Sequence, residues 1–402
     1  MPSELSHDQL LSAANAYGTP LYVYNADRIT EQYEQLLHSF KGLDARFFYA
    51  AKALTNINIL KHVHSIGCGV DCSSINEVKL AIKAGFTPDK VLYTSNNIDF
   101  SELEEAASLG VSINIDSLSN LEKFGKKFGS TYPVGVRLRP NIMAGGNLKI
   151  STGHDRSKFG VPVEQLSDLK KIVANTGLVI RTLHLHTGSE IKDVEVFLKG
   201  VAVLLELAGH FPSVEVVDMG GGFKVPYKPG EVGTDMNLLG KRLLEEMQEY
   251  EKRTNRHLQV WFEPGKFIVS EAGYFIAKVN VLKSTPTIEF AGINSGLNQL
   301  IRPMFYGSYH HIENLSNATA AEKNYTVVGN ICETDTFAED RAIAEIREGD
   351  LLVFKNAGAY GFEMASQYNA RFRPAEVLFS AGQHRLIRRR ENLDDLLSTQ
   401  VL

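Results

Sequence analysis

The feature that most constrains this chain is an apolar, β-prone run that recurs eight times before residue 265. The runs are Phe47–Ala50, Gly69–Cys72, Val91–Tyr93, Val111–Ile115, Val134–Leu138, Val179–His186, Val214–Asp218 and Val260–Glu263. Amphipathic stretches lie between several of them, INEVKLAIKAG after the second and SELEEAASLG after the third. Their apolar residues fall three and four apart, and Gly85 and Gly110 stand where a helix would stop. Strands alternating with helices imply parallel strands joined by crossovers. Eight such units close into a (β/α)8 TIM-like barrel of about 250 residues, which fits residues 35–278. An open, doubly wound sheet is the competing reading.

After residue 278 the texture changes. YTVVGNIC, DLLVF and AEVLF are short and β-prone, broken by Gly, Pro and Asn. They predict a second, mostly β domain of sandwich or barrel type over residues 279–402. The segment TPLYVYN, ahead of the barrel, is also strand-like. It is expected to pair with the C-terminal sheet, so that residues 1–34 complete a discontinuous domain.

Composition narrows the function. The chain has 402 residues, with 42 Lys+Arg against 47 Asp+Glu and a net charge of −5. That balance argues against a surface built to neutralise phosphates, so no nucleic-acid partner is expected. Three cysteines, Cys68, Cys72 and Cys332, cannot all pair, which favours a reducing compartment. The first residues lack a basic stretch and an apolar stretch of the kind a signal peptide has. No run of about 18 apolar residues suggests a membrane span. A cytoplasmic globular enzyme is expected.

In such a barrel the chemistry gathers at the C-terminal ends of the strands. The first run ends FFYAAKAL, placing Lys52 just past a strand among Tyr49, Ala50, Ala51 and Ala53. Either it is a solvated loop lysine, or dry surroundings lower its pKa and make it a nucleophile toward an aldehyde. The sixth run ends HLHTGSE. His184 and His186, two apart on a strand, share a side. They are open to a metal reading and equally to an imidazole stacked over a planar ring, with Gly188 and Ser189 at an anion. The seventh run ends DMGGGF. Gly220, Gly221 and Gly222 either make a tight turn or let backbone N–H groups close on a phosphate. The eighth ends WFEPGKF; Glu263 there is structural, a general base, or the group that keeps a ring nitrogen protonated. Together the strand ends offer an imine-forming lysine, a stacking histidine, a phosphate cradle and a ring-nitrogen carboxylate. Those are the parts of a pyridoxal phosphate site. In the second domain, GNICETDTF sets Cys332 beside Glu333 and Asp335, and NAGAYGFEMASQYN carries Tyr360, Met364, Tyr368 and Asn369.

The chain resembles the pyridoxal-phosphate decarboxylases with an alanine-racemase-like barrel. The likeness runs through YGTPLYVYN, YAAKA, STGHDRSKFG, HLHTGS, DMGGGF, EPGK, RPMFYGSYH, CETD, GAYGFEMASQYN and the terminal RRRENLDDLL. It implies pyridoxal 5'-phosphate as cofactor and no metal. Lys52 would carry the cofactor as a Schiff base, and His186 would stack on its ring. Ser189 and Gly220–Gly222 would hold the phosphate, and Glu263 would pair with the ring nitrogen. Gly265 and Lys266 would lie near phosphate or substrate, and Tyr360 would touch both. Arg302 and Tyr306, from the RPxxY motif, would grip the distal end of the substrate. Glu333 would bind its distal amino group, and Cys332 would be the acid that returns a proton. The resemblance further implies decarboxylation of meso-2,6-diaminoheptanedioate to L-lysine, by a homodimer with shared active sites.

Two departures from the family pattern stand out. EPGK replaces the usual EPGR, and lysine cannot make arginine's planar bidentate grip. CETD is one residue shorter than the usual CESGD, with Asp335 standing in for that motif's aspartate. The competing functions are a same-fold decarboxylase of ornithine, arginine, lysine or a carboxylated polyamine, a racemase, a metal-dependent barrel enzyme, and a catalytically silent cofactor-binding partner protein.

Overall fold

The computed structural model describes residues 3–140 and 157–401. Residues 151–156 of the STGHDRSKFG motif lie outside the described residues. The chain divides into two compact units, Tyr33–Val225 with Val232–Phe267, and Met1–Gln32 with Pro226–Glu231 and Ile268–Leu402.

The first unit is the barrel. After β1 (Leu21–Asn25), which belongs to the other unit, its strands are β2 (Ala45–Ala50), β3 (Gly69–Cys72), β4 (Val91–Thr94), β5 (Ser112–Ile115) and β6 (Val134–Arg139). A two-residue β7 (Val161–Pro162) pairs with the end of β6, and β8 (Ile180–Leu185), β9 (Val216–Asp218) and β10 (Gln259–Phe262) complete the set. Every barrel pairing is parallel, and β10 pairs with β2, so the eight long strands close on themselves. The open-sheet alternative is therefore excluded. All eight expected runs are strands, with ends within two residues of those read from the sequence.

Helices follow the strands because the connecting loops end in good caps. Ser74 accepts from the N–H of Glu77, Asp99 from Ser101, Ser117 from Asn120 and Asp193 from Glu195, each satisfying a donor that the first helical turn leaves open. Gly85 closes Ile75–Ala84 with φ +110, a conformation that suits glycine.

The second unit is built on antiparallel and mixed sheet: β11 (Gly273–Ser284), β12 (Glu289–Ile293), β13 (Ile312–Asn314), β14 (Glu322–Val328), β15 (Thr336–Ala344), β16 (Leu351–Phe354), β17 (Ala375–Ser380) and β18 (Gln383–Arg388). The N-terminal strand β1 joins it as expected. It lies between β11, antiparallel, and β17, parallel. Its five residues are all buried. Leu21, Val23, Ile276, Val353 and Val377 form a core with the helix His7–Tyr17 through Leu10, Ala13 and Ala14. Two details differ from the sequence reading. β11 starts inside the expected barrel span yet belongs to this unit, and so does the short excursion Pro226–Glu231.

Candidate active site

Barrel interiors are ordinarily filled by branched apolar side chains, but this one carries a polar layer. Asp71 on β3, Thr94 on β4, Asn114 on β5, Arg137 on β6, His184 on β8, Asp218 on β9 and Glu263 just past β10 are all buried. Gly135 makes room for one of them, since a Cβ there would lie 1.9 Å from Asn114 Oδ1. None except His184 and Glu263 stood out in the sequence, because each is a lone polar residue in an apolar strand.

Glu263 is the hub of this layer. Thr94 Oγ1 donates to its Oε1 at 3.3 Å, and His184 Nε2 lies 3.3 Å from the same oxygen. Burial pushes the carboxyl up, but the close contact with His184 and the Lys52 cation outweigh it and hold Glu263 well below the usual carboxylate range. Burial, followed by the charge of Glu263, pushes Asp218 and Asp71 the other way. Negative charge thus concentrates on Glu263 among its acidic neighbours. Burial also holds His184 below its ordinary value despite Glu263. His184 gathers with Asp218 and Glu263, their donor atoms within 4.8 Å of one another.

Lys52 sits on the short turn Ala51–Ala53 that follows β2, with Ala51 and Ala53 buried. Of the solvated and dry settings that the sequence allows for Lys52, the structure shows the more open one. Its side chain is 43% exposed and Nζ lies 3.7 Å from Asp71 Oδ2, because the turn tucks its alanines inward and leaves the lysine at the outlet. Gly265 lets this turn approach: a Cβ at Gly265 would press on the Cβ atoms of Ala50 and Ala53 at 3.1 and 3.3 Å.

His186 follows β8, half-buried. Its Nδ1 accepts from the N–H of Gly221 at 3.3 Å, and burial, aided by the Lys52 cation, pushes the ring down to about 3. It is a neutral, flat, apolar surface at neutral pH. The glycine run is tightly held. A Cβ at Gly221 would lie 2.3 Å from the Glu263 carbonyl oxygen, and one at Gly222 would lie 2.3 Å from that of Gly188. Ser189 Oγ accepts from Lys266 Nζ at 3.2 Å, and Lys266 also pairs with Glu190. The lysine that replaces the family's arginine therefore stands beside the hydroxyl expected at the phosphate.

The second unit holds the remaining candidates in two groups. Arg302 is buried, with its guanidinium 5.5 Å from the Tyr227 ring and 5.9 Å from those of Tyr306 and Tyr360. Its Nη2 donates to Ser308 Oγ at 3.3 Å, and its Nε has no hydrogen-bond partner among the described residues. Tyr227, which the sequence did not flag, comes from the Pro226–Glu231 excursion and shares a 2.6 Å hydroxyl contact with Ser270. Tyr360 adopts φ +57 after the buried Ala359. In the other group Cys332 and Glu333 are exposed. Asn369 Nδ2 donates to Cys332 Sγ at 3.3 Å, and the Tyr368 hydroxyl donates to Glu333. Asp335 is buried beneath them and accepts from the N–H groups of Ile331 and Leu297, which holds the shortened loop in place.

A parallel barrel of this kind, with a β-rich unit completed by its own N-terminal strand, defines the alanine-racemase-like class of barrel enzymes. Residues 26–270 match the family model for the pyridoxal-binding domain of pyridoxal-dependent decarboxylases. Over 400 residues the chain is 39% identical to the diaminopimelate decarboxylase of Methanothermobacter thermautotrophicus, covering 96% of this chain and 92% of that one. The diaminopimelate decarboxylase structure from Helicobacter pylori, complexed with L-lysine, is 30% identical with a TM-score of 0.89, covering 97% of this chain and 98% of that one. The structure of the M. jannaschii enzyme, also with L-lysine, gives 30% and 0.90, covering 98% and 94%. The chain belongs to the diaminopimelate decarboxylase family.

The residues present suit pyridoxal phosphate on grounds of their own chemistry. An amine at the outlet faces a buried carboxyl whose oxygens have no hydrogen-bond partner among the described residues. A neutral imidazole, an ionised interior carboxylate and a cation beside a hydroxyl and a glycine run complete a donor set for an anionic, nitrogen-containing ring.

Proposed function

We propose that this chain decarboxylates meso-2,6-diaminoheptanedioate to L-lysine and CO2, using pyridoxal 5'-phosphate, as a cytoplasmic homodimer with shared active sites. The observation that carries the reading is likeness along nearly the whole chain to diaminopimelate decarboxylases, two of which have been solved with L-lysine. The site chemistry supports it.

When bound, the cofactor supplies an electron-accepting ring for the pair released as the carboxylate leaves. Lys52 would hold the cofactor through its amine, with the Asp71 carboxyl 3.7 Å away to balance that amine's charge. Glu263 holds a proton at the ring nitrogen, where its negative charge stabilises the positive one. His186 would cover the ring face and exclude water from it. Ser189, Gly220–Gly222, Gly265, Lys266 and Tyr360 bind the phosphate, with Lys266 and Tyr360 extending to the substrate. Arg302 and Tyr306 bind the distal carboxylate, and Glu333 the distal amino group. Cys332 returns a proton to the α-carbon, so one C–C bond is exchanged for one C–H bond and CO2 departs.

A distal carboxylate separates this substrate from ornithine and lysine, and a buried arginine ringed by aromatic faces suits it. The test is CO2 release from meso-2,6-diaminoheptanedioate, ornithine, arginine and lysine in parallel. Turnover confined to the first is expected. Equal or better turnover of ornithine would displace the assignment.

A further inference from the structure

His184 is the member of the HLHTGS segment to which the chemistry above gives no task, yet it is fully buried and lies against the hub of the polar layer. Its Nε2 and the Thr94 hydroxyl both reach Oε1 of Glu263, each at 3.3 Å. Asn114 Nδ2 donates to Thr94 Oγ1 at 3.0 Å. That bond occupies an acceptor position on Thr94 and turns its hydroxyl hydrogen toward Glu263. Gly135, by leaving space for Asn114, supports the chain from below. A glutamate's terminal torsion is broad and sets the plane of the carboxylate only weakly. The Thr94 hydrogen bond, with the imidazole of His184 packed against the same oxygen, limits that freedom.

We propose that His184 and Thr94 are positioning residues for Glu263: by holding Oε1 between them, they fix the plane in which the carboxylate meets the cofactor's ring nitrogen. The inference rests on the assignment of Glu263 given above. Preorganisation of this kind lowers a barrier because no reorientation is needed when charge develops. The charge state of the imidazole matters as well. Glu263 is faced by Asp218 from β9, Asp71 from β3, Arg137 from β6, and Lys52 and His186 at the outlet. Burial holds His184 below its ordinary value despite Glu263.

The test uses holoenzyme carrying Thr94→Val, His184→Ala or His184→Gln, with Glu263→Gln measured alongside. In Thr94→Val kcat is expected to fall about tenfold or more, the size of one lost hydrogen bond to a buried charge, and His184→Ala, which removes the imidazole 3.3 Å from Oε1, is expected to lower it as well. KM for the diamino diacid should stay unchanged. The cofactor dissociation constant, read by absorbance titration, should rise, and the pH profile of the cofactor's visible band should shift. His184→Gln, which keeps a side-chain donor, should recover most of each change. A purely structural role would lower the melting temperature and leave the spectrum alone. Wild-type kcat, affinity and pH profile in both Thr94→Val and His184→Ala would overturn the proposal, as would losses that His184→Gln does not recover. Wild-type behaviour of Glu263→Gln would instead overturn the assignment of Glu263. Thr94→Val changes shape little, so it carries the test if His184→Ala fails to fold.

Discussion

At the scale of single residues, Lys52 joins two opposed requirements. It must be reachable, which its 43% side-chain exposure allows, and it must be held, which the turn Ala51–Ala53 and the carboxyl of Asp71 accomplish. Lys52→Ala is expected to abolish the cofactor's lysine-bound visible absorbance and its borohydride-stable label at this position. An unchanged band would refute the assignment. His310 carries a different consequence. Its Nδ1 bonds to the Lys355 carbonyl at 2.9 Å, while burial, reinforced by the Arg302 cation, pushes the imidazole down to about 3. The unfolded chain takes up a proton near 6.5, where the folded imidazole does not. Stability linked to His310 is therefore complete above about pH 6.5 and declines as pH falls toward about 3, by at most about 1.4 kcal/mol per unit. Thermal unfolding across this window should show a shallower acid slope for His310→Asn than for the wild type. An equal slope would remove His310 from the account.

At the scale of elements, the turn after β9 shows why three glycines occur together. Glu263 N donates to the Gly220 carbonyl at 2.8 Å, and the Cβ of any other residue at position 221 would lie 2.3 Å from the Glu263 carbonyl. Backbone cannot yield there without moving the end of β10. Gly221→Ala should lower both the melting temperature and cofactor affinity, measured by calorimetry and absorbance titration; wild-type values for both would show the turn to be slack. The eight strands were legible because parallel strands buried on both faces are nearly continuous apolar runs. The N-terminal strand was legible by its β-branched and aromatic content. The polar layer was not. Asp71, Thr94, Asn114 and Arg137 belong to no motif, and only closure of the barrel brings residues from six strands and a strand end to one Glu263. Tyr227 was missed for a similar reason, since nothing in YKPGE announces that the excursion leaves one unit to join the other.

At the scale of the whole molecule, the proposed homodimer makes a quantitative prediction. Lys52→Ala and Cys332→Ala each disable one side of a shared site. Mixed subunits should recover up to about a quarter of wild-type activity under random twofold pairing, assayed after demonstrated subunit exchange. No recovery would count against sharing. Cys332 and Glu333 are exposed, as are the nearby Tyr368 and Phe372, which suits a surface that a second copy covers.

The placement of β1 carries a further consequence for the chain as it is made. Leu21 pairs with Ile276 on one side and with Ala375 on the other. Its second neighbour leaves the ribosome about 350 residues after it does, roughly 20–70 s later at the usual pace of synthesis. The barrel's last strand and β11 emerge well before then, so the nascent polypeptide must keep an apolar strand with one edge still open from sticking elsewhere while it waits.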